Sequence, residues 1–293
     1  MQASARRERL RSILNGDETV ILPTVFDAVS ARIVELAGFE VALLSGSVSA
    51  ASLQGVPDLI LVTMTEVAQL AKRIVDSTSL SIHVDADHGF GNALNVMRSI
   101  REFEAAGVAS LTLEDTDLPR PYGTQGPSAI TIKEMCGKLK AAVEAREDPG
   151  LVIIGRTDTL RSMGIEEALR RARAYEETGV DAIFLVGART REELEAIREA
   201  ISLPLIANGL PEPEKDKSGL QILNEIGYAM TLMATLPFRV AIQAMQEAVV
   251  YLKEHGEPGP YAERMCSPQL LETIVRTDQF TGYWDRFMSE QDD

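Results

Sequence analysis

Residues 84–92 read Val84-Asp85-Ala86-Asp87-His88-Gly89-Phe90-Gly91-Asn92, and they close the apolar run Leu80-Ser81-Ile82-His83-Val84. Alternate residues of a strand point to the same side, so the two aspartates at its end face one way. Two like charges held close together are costly unless a proton or a cation compensates them, and a hard divalent cation prefers oxygen ligands. The stretch therefore indicates a metal site where a strand meets a glycine-rich loop, with loop-capping aspartates as the alternative.

Charged residues end two further apolar runs downstream. Leu111-Thr112-Leu113 is followed by Glu114-Asp115, and the run 151–154 is followed by Gly155-Arg156-Thr157-Asp158. Charge gathered at the carboxyl ends of several strands is typical of the active site of a parallel barrel. These runs predict that the acids and Arg156 meet at one end of the fold.

A local pattern of helix end, glycine and apolar strand recurs four times, at Gly38, Gly107, Gly179 and Gly227. Glycine in this position suits a left-handed helix C-cap that leads into a buried strand. The predicted strands are Val20–Phe26, Val41–Leu44, Ser81–Asp87, Ser110–Leu113, Leu151–Thr157, Ala182–Leu185, Pro204–Asn208 and Met230–Met233. Their alternation with helical segments predicts an α/β fold, a (β/α)₈ TIM barrel, with an open doubly wound sheet as the alternative.

Two stretches do not follow the repeat. Leu118–Ser128 is rich in proline and glycine and follows a strand end, so it is a candidate active-site lid. Residues 258–293 lie beyond the last predicted barrel helix and carry apolar side chains that need a partner surface. We therefore predict one barrel domain over residues 1–293, with 258–293 as a C-terminal helical extension that packs on a neighbouring subunit.

Composition narrows the classes of partner. The net charge of −15 argues against nucleic acid and against an anionic membrane surface. Cys136 and Cys266 are the only cysteines, which favours a reducing compartment, and no stretch is apolar enough to be a signal core or a membrane span. The sequence predicts a cytoplasmic protein that acts on a small molecule.

The remaining candidates each have a functional and a structural interpretation. Arg156 offers a planar fork for a carboxylate or phosphate, or else forms a salt bridge at the barrel rim to Asp158 or Glu114. Ser45-Gly46-Ser47 allows backbone N–H groups to approach an oxyanion, or else is an ordinary turn. Asp58 follows Pro57 and fits a turn as well as a site, and His88 is more typical of a structural histidine than of a ligand.

In their combination and order, these motifs resemble the isocitrate lyase/phosphoenolpyruvate mutase superfamily over nearly the whole chain. The matching pieces are Ser45-Gly46-Ser47, Pro57-Asp58, residues 85–92, Leu113-Glu114-Asp115 and Gly155-Arg156-Thr157-Asp158. The resemblance implies a (β/α)₈ barrel whose last helix is swapped between subunits and an assembly into homotetramers built as dimers of dimers. It also implies Mg²⁺ as cofactor, with Mn²⁺ as a substitute.

The resemblance further implies roles for individual residues. Asp85 would hold the metal, with Asp87 and Glu114 bound to it mostly through water. Ser45, Gly46 and Ser47 would bind the carboxylate of a 2-oxo acid. Arg156 would bind substrate, and Asp58 would be an acid near the metal. The chemistry shared by the family runs through a magnesium-bound pyruvate enolate or its phosphono relative.

Departures from the family motifs indicate the branch. Tyr122 stands where the carbon–carbon lyases carry a catalytic cysteine, Val186 where they carry a glutamate, and Leu43 where they carry a tyrosine. The mutases and phosphonopyruvate hydrolases need a lid Lys and Asn, which this lid also lacks. Residues 92–98 and Leu185-Val186-Gly187 resemble the oxaloacetate decarboxylase branch instead, although that branch carries a histidine where this chain has Thr235.

We therefore predict a lyase, a magnesium-dependent decarboxylase of oxaloacetate or a close 2-oxo-dicarboxylate that yields pyruvate and CO₂ through a metal-bound enolate. Asp58 and Arg156 are the predicted catalytic residues, and Thr235 joins the substrate-binding set. Three alternatives stay open: phosphonopyruvate-type P–C chemistry, carbon–carbon cleavage of a 2-hydroxy acid, and a catalytically idle ligand-binding barrel.

Overall fold

The computed structural model describes residues 2–126 and 128–289. Within these ranges the chain forms two compact units, divided between Pro237 and Phe238. Pro127 of the predicted lid and residues 290–293 of the predicted extension lie outside the described residues. The assignment of the chain to a single domain with an extension from residue 258 stays a prediction.

Eight strands form the sheet of the first unit within the described residues. They are β1 (Val20–Pro23), β2 (Val41–Leu44), β3 (Ser81–Asp85), β4 (Ser110–Glu114), β5 (Val152–Thr157), β6 (Ala182–Leu185), β7 (Leu205–Ala207) and β8 (Met230–Met233). All of their ladders are parallel, and the order around the sheet is β1-β8-β7-β6-β5-β4-β3-β2. The predicted (β/α)₈ barrel is thus confirmed, with strands that are the same length as predicted or differ by a few residues at their ends.

Strands β1 and β2 close the barrel through a short contact. Thr24 and Leu43 form one parallel bridge, and the backbone N–H of Val25 donates to the Leu43 carbonyl at 2.8 Å. This closure excludes the open doubly wound sheet, in which the two end strands stay apart.

Helices follow the strands. In the first unit they are α1 (Ala3–Leu14), α2 (Ala28–Leu36), α3 (Gly46–Gln54), α4 (Met64–Ser77), α5 (Ala93–Ala105), α6 (Ile132–Ala145), α7 (Leu160–Met163), α8 (Ile165–Glu176), α9 (Arg191–Ala200) and α10 (Gly219–Ile226). Several begin at reciprocal capping boxes, such as Thr63 with Glu66 and Asn92 with Asn95, which satisfy otherwise unpaired N–H groups. The helix-ending glycines have left-handed backbones, with φ of 89° at both Gly38 and Gly227, as the repeat predicts.

The apolar core has two layers. Side chains such as Leu43, Ile154 and Phe184 fill the inside of the barrel, where Leu10 and Leu14 of α1 join them. A second, larger cluster lies between the strands and the surrounding helices. The inside of the barrel is therefore packed, and the site is restricted to its end.

Helix α1 covers the amino-terminal end of the barrel. Arg7 donates to the Val108 carbonyl at 3.1 Å, and Arg11 donates to the Gly150 carbonyl at 3.0 Å and pairs with Asp181 at 2.9 Å. The arginines that make the amino-terminal segment polar thus satisfy carbonyls just before the strands begin. This leaves the carboxyl ends of the strands as the open face.

The second unit is helical. It contains most of α11 (Leu236–His255), a 3₁₀ turn (Gly259–Tyr261), α12 (Pro268–Val275) and α13 (Thr277–Phe287). Many of its large apolar side chains are exposed in the single chain, among them Met245, Val249, Leu271, Phe280, Trp284 and Phe287. None of the helices in the described ranges has the length and apolar character needed to span a membrane.

Candidate active site

A cavity of about 170 Å³ opens at the carboxyl ends of the strands. Its walls are formed by Leu43, Ser45, Ser47, Asp58, His83, Asp85, Thr112, Arg156, Phe184, Val186, Asn208, Leu232 and Ala234. Five residues predicted for the site from sequence, Ser45, Ser47, Asp58, Asp85 and Arg156, therefore meet in one enclosure. Leu43 and Val186 line it as well, so two departures from the lyase motif face the cavity.

The acidic loop begins where β3 ends. Asp85 is the last residue of β3, and its Oδ1 accepts the backbone N–H of Asp87 at 3.2 Å. Asp87 has a left-handed backbone with φ of 46°, which turns the chain within two residues. Its carbonyl accepts the N–H of Glu114 at 2.9 Å, so the ends of β3 and β4 are held together.

Ser45-Gly46-Ser47 forms the start of helix α3 rather than an ordinary turn. Ser45 is the N-cap but makes no side-chain cap hydrogen bond, and its Oγ lies 3.1 Å from Ser47 Oγ. The first N–H groups of a helix have no partner within the helix, and together with the helix dipole they favour an anion. Both serines line the cavity, so this helix end is suited to a carboxylate.

Gly46 brings the helix end against the acidic loop. A Cβ at this position would lie 2.5 Å from Asp87 Oδ1 and 3.4 Å from Asp85 Oδ2. The first distance is shorter than any ordinary van der Waals contact, so a larger residue would displace the Asp87 carboxylate. Because Gly46 has no side chain, the start of α3 can lie directly against the Asp87 carboxylate. The sequence motif predicted only that glycine would let backbone N–H groups approach an oxyanion.

Arg156 connects the strand ends through ion pairs. It grips Asp158 with two parallel hydrogen bonds of 2.7 Å, and it contacts Glu114 at 2.8 Å and Asp85 at 3.1 Å. Its guanidinium also lies 5.5 Å from the centre of the Phe184 ring. The salt bridges to Asp158 and Glu114, which the sequence left open, are present, and they hold the arginine at the cavity wall.

Acidic groups dominate the electrostatics of the site. Burial raises the pKa of Glu114 to about 8, with the Asp158 and Asp85 carboxylates adding to the shift and Arg156 opposing it. The pKa of Asp87 is raised by burial and by the Asp85 and Glu114 carboxylates, and burial and Asp85 likewise raise that of Asp58. The site therefore holds more carboxyl groups than Arg156 can balance, and full ionisation of these groups would leave excess negative charge.

This donor set suits a hard divalent cation, because carboxylate oxygens are its preferred ligands and a cation would offset the excess charge. Among the residues that the structure describes, no group of three or more His, Cys, Asp or Glu side chains is arranged to hold a metal ion directly. An ion held by Asp85, with Asp87 and Glu114 bound through water, requires no such group. The metal assignment of these three residues stays a prediction.

Other residues singled out in the sequence lie outside the cavity wall. Thr235 is exposed, and its neighbour Ala234 lines the cavity instead. Tyr122 of the lid is fully exposed. Cys136 is half-buried on α6 and donates to the Ala174 carbonyl, as a packing residue would. His88 is buried but lines a separate cavity, and burial lowers its pKa to about 4.

Asp115 turns away from the cavity although its neighbour Glu114 faces Arg156. Its carboxylate is fully buried and accepts hydrogen bonds from Tyr175 at 2.7 Å and Arg171 at 3.1 Å, both on α8. Its carbonyl accepts the N–H of Ile130 at 2.9 Å, just after the lid. Asp115 therefore holds the chain just after the predicted lid rather than joining the predicted metal ligands.

Sequence reasoning missed three polar residues of the cavity, namely His83, Thr112 and Asn208. His83 and Thr112 lie two residues before Asp85 and Glu114, on the same sides of β3 and β4. That spacing could have identified both, but they belong to apolar runs that look like core. Burial lowers the pKa of His83 to about 4, so its ring is neutral at pH 7.

Comparison with known proteins agrees with this geometry. The family model described as phosphoenolpyruvate phosphomutase matches residues 10–253, which is most of the chain and nearly all of the barrel. The chain belongs to the phosphoenolpyruvate mutase/isocitrate lyase superfamily. The resemblance drawn from the motifs is thereby confirmed.

The chain is similar to proteins that are named for three different activities. The oxaloacetate decarboxylase of Rhodopseudomonas palustris (strain BisB18) is 42% identical, over 93% of this chain and 93% of that protein. A structure of oxaloacetate acetylhydrolase in complex with the product oxalate has a TM-score of 0.84 at 27% identity, covering 96% of this chain and 97% of the other. Phosphonopyruvate hydrolase with oxalate and Mg²⁺ has a TM-score of 0.88 at 25% identity, covering 99% and 100%.

Proposed function

We propose that this protein is a divalent-metal-dependent carboxy-lyase that converts oxaloacetate, or a close 2-oxo-dicarboxylate, to pyruvate and CO₂. The observation that carries the proposal is the 42% identity to an oxaloacetate decarboxylase over 93% of both chains. The cavity supports it, since the start of α3 with its two serines, Arg156 and a set of carboxylates surround a space of about 170 Å³ that can hold a small acid.

Different residues of the cavity bind different groups of the substrate. Ser45, Ser47 and the first N–H groups of α3 hold the carboxylate next to the 2-oxo group. Arg156 contributes its positive charge to an anionic group of the substrate, and the two hydrogen bonds that its planar fork makes to Asp158 keep the guanidinium in orientation. Phe184, Leu43 and Leu232 cover the other walls with apolar surface and limit access of water.

Asp85, Asp87 and Glu114 would hold Mg²⁺, for which Mn²⁺ is a possible substitute. A bound divalent ion supplies a Lewis acid that withdraws electron density from the 2-oxo group. The remaining carboxylate, Asp58, lies at the cavity wall and is the acid that we place next to the substrate.

Decarboxylation breaks the bond between C3 and C4 of oxaloacetate. The electron pair moves into the enolate of pyruvate, CO₂ leaves, and one proton then adds at C3. Because CO₂ departs without being protonated, the reaction needs no acid on the lid for its leaving group. This accords with the tyrosine at position 122, where carbon–carbon lyases of the superfamily carry a cysteine.

A second candidate function is phosphonopyruvate-type P–C chemistry. It is favoured by the likeness to phosphonopyruvate hydrolase and by Asp58, whose carboxylate lines the cavity where a phosphoryl group would fit. Cleavage of isocitrate or 2-methylisocitrate is disfavoured, because Tyr122, Val186 and Leu43 replace three residues that the lyases use. A catalytically idle barrel that only binds a ligand is the alternative from outside the enzymes.

The deciding experiment incubates the purified protein with Mg²⁺ and oxaloacetate, phosphonopyruvate or 2-methylisocitrate, and quantifies all products. Pyruvate formation well above the free-Mg²⁺ background, lost with EDTA and in Asp85→Asn but kept in the surface variant Asp76→Asn, supports the proposal. Oxalate as the main product would indicate oxaloacetate hydrolysis, phosphate would indicate the P–C alternative, and succinate would indicate the lyase. No turnover of any of these would favour the idle barrel.

We also propose that the protein is a cytoplasmic homotetramer in which the second unit packs on a neighbouring subunit. The proposal is supported by the exposed apolar side chains of α11, α12 and α13, among them Leu271, Trp284 and Phe287. Light scattering coupled to size-exclusion chromatography should give four times the 32.0 kDa chain mass. A monomer would contradict the proposal.

A further inference from the structure

His83 bridges two hydroxyl groups beneath the active-site cavity. Its Nδ1 lies 2.8 Å from Ser110 Oγ, and its Nε2 lies 2.9 Å from Thr112 Oγ1. All three side chains are at most 2% exposed. His83 and Thr112 line the cavity, whereas Ser110 does not.

The available partners determine which group donates and which accepts among Ser110, His83 and Thr112. Among the described residues, Ser110 Oγ has no hydrogen-bond partner other than His83. A buried hydroxyl proton needs an acceptor, so Ser110 donates to Nδ1. An Nδ1 that accepts a hydrogen bond carries no proton, so the ring proton is on Nε2, which donates to Thr112 Oγ1.

Thr112 therefore accepts from His83, and its own proton must point elsewhere. Within the described part of the chain, Thr112 Oγ1 makes no second hydrogen bond. The side open to it is the cavity, where Thr112 lies next to Asp85 because the two residues are register partners on β4 and β3. The opposite tautomer would leave the Ser110 proton buried without an acceptor, which is unfavourable.

We infer that Thr112 is a substrate-binding residue that donates a hydrogen bond to an oxygen of the bound 2-oxo acid, and that His83 and Ser110 are positioning residues that fix the direction of this donor. The inference rests on the proposed function only for the identity of the acid. The Thr112 hydroxyl is then a neutral donor at the floor of the cavity. It acts in addition to the start of α3 and Arg156, which lie at the cavity walls.

Binding of oxalate in the presence of Mg²⁺, measured by titration calorimetry, tests the inference separately from turnover. Oxalate is bound by two structural relatives and carries the two adjacent oxygen-bearing carbons of a 2-oxo acid. Thr112→Val removes the hydroxyl at nearly constant shape and should weaken oxalate binding roughly ten- to a hundredfold, as expected for a lost hydrogen bond to a charged group. Thr112→Ser should recover most of the affinity.

The matched control is Thr78→Val, which removes an equally buried hydroxyl that bonds to the Ile74 carbonyl away from the cavity. It should leave oxalate affinity unchanged although it too removes a buried hydrogen bond. His83→Leu should weaken oxalate binding less than Thr112→Val, and His83→Gln, which can accept from Ser110 and donate to Thr112, should restore it. In the double variant His83→Leu/Thr112→Val the two losses should not add, because both act through one donor.

Unchanged oxalate affinity in folded Thr112→Val would overturn the inference. Additive losses in the double variant would overturn the positioning role of His83. If Thr112→Val weakens Mg²⁺ binding by the same factor as oxalate binding, the hydroxyl serves Asp85 and not the substrate, and the inference also fails. Failure of the parent protein to decarboxylate oxaloacetate, with oxalate binding and its Thr112 dependence intact, would overturn only the proposed function.

Discussion

Gly46 and Asp87 approach each other so closely that a Cβ at position 46 would lie 2.5 Å from Asp87 Oδ1. The contact joins the helix end that we propose binds a substrate carboxylate to the loop that carries the predicted metal ligands. A side chain at position 46 would therefore displace the Asp87 carboxylate.

Gly46→Ala should displace the Asp87 carboxylate and weaken Mn²⁺ binding by roughly tenfold or more, the loss expected for one charged interaction. Electron paramagnetic resonance of free Mn²⁺ measures this directly. Gly137→Ala is the control, because no atom of the described residues lies within 4 Å of a Cβ there and alanine in the middle of α6 should stabilise the fold by up to about 1 kcal/mol. Equal Mn²⁺ affinities in the two variants would contradict the importance of the close approach.

Arg156→Lys should lower kcat/KM roughly ten- to a hundredfold, because an ammonium group cannot reproduce the planar fork that grips Asp158. Arg161 also makes two hydrogen bonds to one carboxylate, that of Glu193, at 2.9 Å each, but on the exposed surface and through Nη1 and Nη2. Arg161→Lys should therefore change kcat/KM by less than about twofold. Steady-state kinetics on both variants decide the point, and similar effects would remove Arg156 from the predicted catalytic and substrate-binding residues.

Tyr175→Phe should reduce the free energy of unfolding by roughly 1.5–3 kcal/mol, because the hydroxyl donates to the buried, charged Asp115. Tyr228→Phe removes a buried hydroxyl that donates to the neutral Leu194 carbonyl at 3.3 Å, and it should cost only about 0.5–1.5 kcal/mol. Denaturant unfolding measures both. A larger loss in Tyr228→Phe would show that Asp115 is not held as described.

Asp148→Asn should make the fold less sensitive to acid. The hydrogen bonds that Asp148 accepts from Arg7 and from the Gly150 N–H lower its pKa in the folded state. A carboxyl with a lowered folded pKa stabilises the fold above its unfolded pKa, and this stability is lost as the pH falls through the folded pKa. The fall in Tm between neutral and acidic pH should thus be smaller in Asp148→Asn than in the parent.

The control for this pH effect is Asp76→Asn, whose carboxylate pairs with Lys72 on an exposed helix surface. Such a pair contributes little, so the acid dependence of Tm should stay as in the parent. Identical pH profiles for the parent, Asp76→Asn and Asp148→Asn would refute the role of Asp148.

Thr235→His tests the branch assignment. If the histidine of the decarboxylase branch belongs at this position, the substitution should raise kcat/KM for oxaloacetate, because histidine can carry charge and donate a hydrogen bond to an anion. Ala234→His is the comparison, since Ala234 rather than Thr235 lines the cavity. If kcat/KM for oxaloacetate rises only in Ala234→His, residue 234 rather than 235 is the position that corresponds to the histidine. If kcat/KM falls in both variants, the native substrate has a different distal group.

The barrel and the position of its site could be predicted because their causes are local in sequence. Each strand is a short apolar run, glycines such as Gly38 and Gly227 end the preceding helices, and the acids stand where the runs stop. Parallel strands bring their carboxyl ends to one face, so the meeting of Asp85 with Arg156 across 71 residues followed from strand order alone.

Only the tertiary structure decided which of two adjacent residues faces the cavity. It also decided which partners each side chain has for its hydrogen bonds. Glu114 and Asp115 are adjacent acids, and packing against Tyr175 and Arg171 turns the second one outward. His83 looked like a core residue until β4 placed hydroxyls at both of its ring nitrogens. Alternation along a strand tells which residues share a side, but the direction of a proton or a carboxylate depends on partners contributed by other elements, which a single strand cannot specify.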